Sequence, residues 1–174
     1  MAKDRTVDEW MREWMGRTPI GTLYLSRFAE PVYYLLKPIA WRPDPGVIAQ
    51  RSLKSVEVPA GFVTDLASVP RAFWSLLRPD GRYVYPAIIH DFLYWTQDRH
   101  RSDADMILKT GMEEFSVDAA TTAAIYHAVR LGGGVSWQNN IELRMRGERR
   151  ILKKFPNDPR TTWSSWKRTA DVFQ

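Results

Sequence analysis

A change of pattern between residues 64 and 84 limits this chain to few architectures. From 21 to 64, "GTLYLSRF", "PVYYLLKPIAW", "SLKSVEV" and "GFVTD" are rich in β-branched and aromatic residues, with Pro and Gly between them. This is the pattern of short antiparallel strands, turned at "RPDPG" (42–46) and "PAG" (59–61). After "SVPRAFWSLL" (68–77), read as a short helix, apolar residues recur at helical spacing and predict helices near 84–97, 103–115 and 118–131. Asp118 suits the N-cap of the third, and the triple glycine 132–134 suits its stop. Strands first and helices afterwards, without alternation, predict an α+β fold: N-terminal short antiparallel β-strands, then a bundle of about three helices.

At 174 residues the chain is long enough for one domain with a core and too short for two comfortable ones. The expected organisation is an arm over 1–20, a single domain over 21–137 and a basic, tryptophan-containing tail over 138–174. In the arm, Trp10 and Trp14 lie four apart beside Met11 and Met15, which predicts a short amphipathic helix that packs on its own domain or docks on another subunit. The tail, with "RMRGERRILKK" (144–154), Trp163 and Trp166, reads as extended or peripheral, and its tryptophans as anchors onto the domain or onto a neighbour.

Several classes fall away on composition. No apolar run approaches the roughly 20 residues that span a bilayer. The first residues, "MAKDRTVDEWMREWMG", are acidic and tryptophan-bearing where an export signal has an unbroken apolar core, so residence in a cytoplasm is expected. With no cysteine there is no disulfide framework, thiolate metal site or cysteine nucleophile. Any metal must be held by oxygen or imidazole, and histidines at 90, 100 and 127 lack the ligand spacing of a zinc hydrolase. A net charge of +5 permits contact with anionic partners, but the basic stripe reads as a solvated helix face, so nucleic acid is not the expected partner.

The stretch with the most chemistry is "YPAIIHDFLYWTQDRHRSDADMIL" (85–108). On a helix, His90 and Tyr94 share a face and Asp91 is turned about 100° away. Ile88, Ile89, Phe92 and Leu93 flank them, so this helix is expected to be largely buried. Asp105 opens the next helix ahead of an apolar stripe, and antiparallel packing through a short loop brings it within reach of His90. A carboxylate bonded to one imidazole nitrogen fixes the tautomer and lets the other nitrogen activate water. The structural alternative is a satisfied core histidine, with Asp103 as a helix cap, Tyr94 as a core residue with a polar tip, and His127 beside Tyr126 as structural.

Two resemblances bear on the choice. Gly61 to Pro70 ("GFVTDLASVP"), His90 to Tyr94 ("HDFLY") and the Ala104-Asp105 pair fall in the order of the phage and prophage family known as domain of unknown function 1353, which the chain resembles over about 56–137. That resemblance implies a viral or prophage protein and supplies no activity. The His90-Asp91-Phe92-Leu93-Tyr94 segment is also similar to the His-Asp-x-Cys-Tyr helix of secreted phospholipase A2 and its cysteine-poor bacterial and parvoviral relatives. This second resemblance implies a phospholipase A2-like helix pair, with His90 activating water, Asp105 orienting it and Tyr94 bracing the two. It also implies calcium, held by Asp91 with Asp65, Thr64 or Ser68 and waters. "GFVTDLASVP" has one glycine where that family's calcium loop has several, Leu93 replaces its cysteine, and the strand-rich front half has no counterpart.

Two functions follow as expectations. The first is a phage-encoded, calcium-dependent hydrolase of phospholipid or another ester. The second is a non-enzymatic virion or assembly component, in which the polar cluster ties the helices together and the tryptophan-bearing ends contact other phage structural proteins or a second copy. The chain would be found in the host cytoplasm during synthesis and, in the second case, in the virion.

Overall fold

The computed structural model describes residues 19–20, 22–43, 53–66 and 83–174. At its centre is helix α1 (Val84–Thr96), in which every residue except Phe92 and Thr96 is buried. A helix apolar around nearly its whole circumference must be enclosed on all sides, and here strands cover one side and two helices the other. Pro86 is accommodated in the first turn, where its missing N–H is not needed.

The strands form two small antiparallel sheets among the described residues. One has the order β1 (Pro19–Ile20), β4 (Ile39–Trp41), β5 (Val56–Val58); the other has β2 (Leu25–Arg27), β3 (Tyr33–Leu35), β6 (Val63–Thr64). Ile39 pairs with Val58 and Trp41 with Val56, and these four are buried while Glu57, opposite Ala40, faces out. This period of two puts one face of the sheet on α1. Phe62 meets Phe92 edge-on at 5.1 Å, and the Tyr85 hydroxyl donates to the Ala40 carbonyl at 2.9 Å.

Helix α2 (Arg101–Glu114) follows α1 after a four-residue link entered through Gln97 in the left-handed region. Contacts run Tyr94 with Arg101, then His90 with Asp105, then Tyr85 with Phe115, so the pair is antiparallel. The N-cap of α2 is His100, and Asp103 is placed in the first turn without a side-chain cap bond. Its charge still favours the positive helix end, but the cap assigned to it from the sequence is corrected.

Helix α3 (Ala119–Met145) begins as expected, with the Asp118 carboxylate accepting from the Thr121 amide at 2.8 Å. It does not stop at the triple glycine. Tertiary bonds outweigh the low helix propensity of glycine: Asn140 donates to the Tyr94 carbonyl at 3.0 Å, Gln97 to the Trp137 carbonyl at 2.8 Å and Arg144 to the Thr96 carbonyl at 2.9 Å. The helix ends instead before Gly147, which takes φ +84°. Gly147 and Glu148 then donate their amides to the carbonyls of Arg144 and Leu143.

The segment after α3 returns to the strands. Val63 donates to the Arg150 carbonyl and Leu152 to the Gly61 carbonyl, and Leu152 bridges Phe173. A second cluster, Phe28, Tyr34, Val63, Leu152 and Val172, closes beneath Phe155 and Trp163, the latter at the start of the one-turn helix α4 (Trp163–Trp166). Trp163 therefore packs on its own domain, 5.4 Å from Phe28. The expected helices over 6–15 and 68–77, with Trp10 and Trp14, lie outside the described residues, as does most of the 42–46 turn.

The glycine run generates a prediction. A Cβ on Gly133 would overlap the Tyr94 hydroxyl and approach Arg101 Nη1 to 3.2 Å, whereas one on Gly132 or Gly134 would meet nothing within 4 Å. Gly133→Ala is expected to destabilise by about 1–3 kcal/mol through overpacking. Gly132→Ala is expected to stabilise by about 0.5–1 kcal/mol through helix propensity. Urea unfolding of the two variants measures both, and equal effects would rule out the close approach.

Candidate functional site

The meeting of α1, α2 and α3 encloses a carboxylate. Asp105, in the second turn of α2, is wholly buried at 0% exposure, as is His90 opposite it on α1. An ionised carboxylate can only accept hydrogen bonds, at about four lone-pair positions, and four donors converge on this one. Oδ1 takes His90 Nε2 at 3.0 Å and the Tyr94 hydroxyl at 2.6 Å. Oδ2 takes Arg101 Nη1 at 3.2 Å and Arg130 Nη1 at 2.9 Å. The rings of His90 and Tyr94 lie 4.1 Å apart, as their spacing of one helical turn requires.

The electrostatics follow from this geometry. Burial pushes the Asp105 carboxyl up, but hydrogen bonds from His90, Tyr94 and Arg130 more than offset it, and the group is held below its usual range. Asp105 is thus the carboxylate at neutral pH, and His90 Nε2 must carry the proton between them. For Tyr94, burial and the bond to Asp105 both push the phenol above its usual value, so it remains a neutral donor.

The arginines were not singled out from the sequence. Arg101 stands four residues before Asp105, a spacing that puts opposite charges on one helix face and was legible in principle. Its guanidinium also donates to the α3 carbonyls of Val129 at 3.1 Å and Arg130 at 3.2 Å. Gly133 makes room for it. Arg130 comes from the following helix, 25 residues along the chain, and no local spacing announces its partner.

The two carboxylates expected to hold calcium have described side-chain partners. Asp91 is buried, and its Oδ2 accepts the Thr64 hydroxyl, which in turn accepts the Leu66 amide at 3.1 Å. Leu66 takes φ 55°, so the chain turns sharply just past β6. The half-exposed carboxylate of Asp65 is 3.8 Å from Arg150, whose guanidinium lies over the Trp95 ring at 4.8 Å. Ser68 lies outside the described residues. Among the described residues, no group of three or more histidines and carboxylates is placed to hold a metal ion. Calcium takes about six to eight oxygens, of which Asp91 and Thr64 would supply part among the described residues.

The three remaining residues are peripheral. His127 is exposed and stacks edge-on with Tyr126 at 5.7 Å. His100 and Asp103 line an open cleft of about 620 Å³ with Lys54, Asp98 and Arg99, and neither His90 nor Asp105 belongs to its lining. Among the described residues no helix is long and apolar enough to cross a membrane.

Comparison with known proteins reaches the same segment. The chain is 33% identical over 78 residues to "Uncharacterized protein y4jT" of Sinorhizobium fredii (strain NBRC 101917 / NGR234), a stretch covering 44% of this chain. The matched stretch covers 23% of that relative's length. No solved structure matches. Residues 44–129, which carry β5, β6, α1, α2 and the first part of α3, and with them His90, Tyr94, Asp91 and Asp105, match the family described as "Protein of unknown function (DUF1353)".

Proposed function

We propose that this is a phage or prophage protein that hydrolyses an ester, with phospholipid as the substrate class and His90 and Asp105 as its catalytic pair. The observation that carries the reading is the bond from His90 Nε2 to Asp105 Oδ1 at 3.0 Å, braced by the Tyr94 hydroxyl on the same oxygen. It is the arrangement implied by the phospholipase A2 resemblance. Asp105 fixes the tautomer, so Nδ1 is the nitrogen that would take a proton from the attacking water. Tyr94, neutral throughout, holds the carboxylate in place without competing for that proton. Asp91 and Asp65 enter as proposed calcium ligands, which the assay tests directly.

Release of fatty acid from phospholipid vesicles by the purified chain, with calcium and with chelator, is the deciding measurement. His90→Gln is expected to lower turnover by about 10²–10⁴-fold, the usual worth of a general base, while circular dichroism stays that of the wild type. Full calcium-dependent turnover in that variant would exclude His90 as the base, and no turnover by the wild type would sink the enzyme reading. Calcium-independent turnover would remove Asp91 and Asp65 from the metal role and leave His90 in place.

A specific observation favours a second reading, a non-enzymatic virion or assembly component. His90 and Asp105 are wholly buried, and every acceptor position of Asp105 is filled by a protein donor. In that reading the cluster is the pin of three helices. Either way its loss is expected to be severe: Asp105→Asn leaves two guanidiniums short of their counter-charge, a change worth about 3–5 kcal/mol when one partner of a buried pair is removed.

The pH dependence carries a sign. Because the folded-state carboxyl is held below its unfolded value, Asp105 stabilises the protein above the ordinary carboxylate range, and this contribution is lost as pH falls through the lowered value. Wild-type stability, followed by thermal unfolding, is expected to drop on acidification below about pH 4. Asp105→Asn should flatten that drop while lying lower at neutral pH. Parallel curves for the two would exclude Asp105 as the group responsible.

A further inference from the structure

The buried cluster is not electrically balanced. Arg101 and Arg130 both pair with Asp105, and among the described residues it is the one acid that either is bonded to. Two guanidiniums against one carboxylate leave an excess of one positive charge even with His90 neutral. Asp105 cannot take up more, since both of its oxygens already accept two bonds each.

The spare donors are on the solvent side. Asp105 has 0% side-chain exposure, Arg101 25% and Arg130 36%, so charge and accessibility increase together away from the carboxylate. Arg101 is spent on protein acceptors, with Nη1 shared by Asp105, Tyr94 and the Val129 carbonyl and Nη2 on the Arg130 carbonyl. Arg130 is different. Of the five N–H donors of a guanidinium, its bond within the described residues is the one from Nη1 to Asp105 Oδ2. Gly134, four residues on and hence on the same face of α3, has no side chain, and a Cβ there would meet nothing within 4 Å. With 36% of its side chain exposed, Arg130 is reachable from solvent.

We propose that Arg130, backed by Arg101, binds a phosphate group at the solvent edge of the three-helix cluster. A planar guanidinium with its rear held by a carboxylate is pre-organised to take a tetrahedral oxyanion in bidentate fashion. The bound anion supplies the missing negative charge. Leu131 and Val135, 89% and 78% exposed next to this position on α3, are apolar surface of a kind that suits a phosphate carried on a lipid. Free phosphate and a lipid headgroup share the chemistry, and they are separated by experiment. The site goes beyond the hydrolase reading and does not depend on turnover.

Binding to the purified full chain is measured in two arms: thermal unfolding in increasing inorganic phosphate, and co-sedimentation with phosphatidylglycerol vesicles at two ionic strengths. The wild type is expected to be stabilised saturably by phosphate and to bind vesicles less well at high salt. Arg130→Gln should weaken both by about tenfold, the loss of one charge-assisted contact. Arg130→Lys, which keeps the counter-charge for Asp105, should fold normally and lie between. Response to inorganic phosphate alone supports the site with free phosphate as ligand; response in both arms supports a lipid-borne phosphate. Wild-type affinity retained in a folded Arg130→Gln protein, or no saturable effect of either probe on the wild type, overturns the proposal. Absent hydrolysis with intact Arg130-dependent binding would fail the enzyme reading and leave this one standing.

Discussion

The structure depends on one buried negative charge. An isolated carboxylate in the protein interior costs several kcal/mol, and it persists only when donors saturate it. Asp105 obtains its donors from three different helices: His90 and Tyr94 from α1, Arg101 from its own α2, and Arg130 from α3. Each donor must arrive within hydrogen-bonding distance, so the charge dictates how the helices sit around one another. Apolar packing alone would tolerate small slides and rotations. The tetrad of donors does not, and it converts a generic bundle of Ile88, Ile89, Leu93, Ile107 and Leu108 into a single arrangement.

The close crossing of α3 follows from the same requirement. For Arg101 to reach both Asp105 and the carbonyls of Val129 and Arg130, the α3 backbone must approach α1 and α2 closely, and Gly133 is the position where that happens. The triple glycine illustrates how a local signal is overridden. Glycines at the end of a periodic stretch read as a helix stop because isolated helices stop there. Here the flanking residues, Val129 before and Trp137 and Asn140 after, are all tied to α1 or α2, and the helix runs through. The sequence alone does not separate a stop from a crossing, because the information lies in the partners.

Much of the rest was legible. Alternation at Ile39 to Trp41 and Val56 to Val58 marked half-buried strands, and an unbroken apolar helix around His90 marked the centre of the core. The helix-turn spacing of His90 and Tyr94, with Asp105 early in the following helix, pointed to the contact between His90 and Asp105. The bond from Arg130 to Asp105 escaped, since it joins residues 25 apart that no periodicity links, and the proximity of Thr64 to Asp91 was implied only as a shared calcium site, not as a direct hydrogen bond. The same holds for the bridges of Phe62 to Ile151 and of Leu152 to Phe173, where a basic stretch conceals the apolar residues Ile151, Leu152 and Phe155.

That bridging has a consequence for how the chain reaches its structure. The three helices are linked by contacts between near neighbours in sequence, such as Tyr94 with Arg101, and can assemble with little loss of chain entropy. The second cluster instead joins Phe28 and Tyr34 to Phe155 and Trp163, closing loops that enclose the entire helical part. The helical part is therefore a local unit that can form first, and the outer aromatic layer is the slow, long-range closure that fastens strands to it. Between the two events Phe28, Tyr34 and Trp163 remain uncovered, and the chain is then most exposed to association with other unfinished copies.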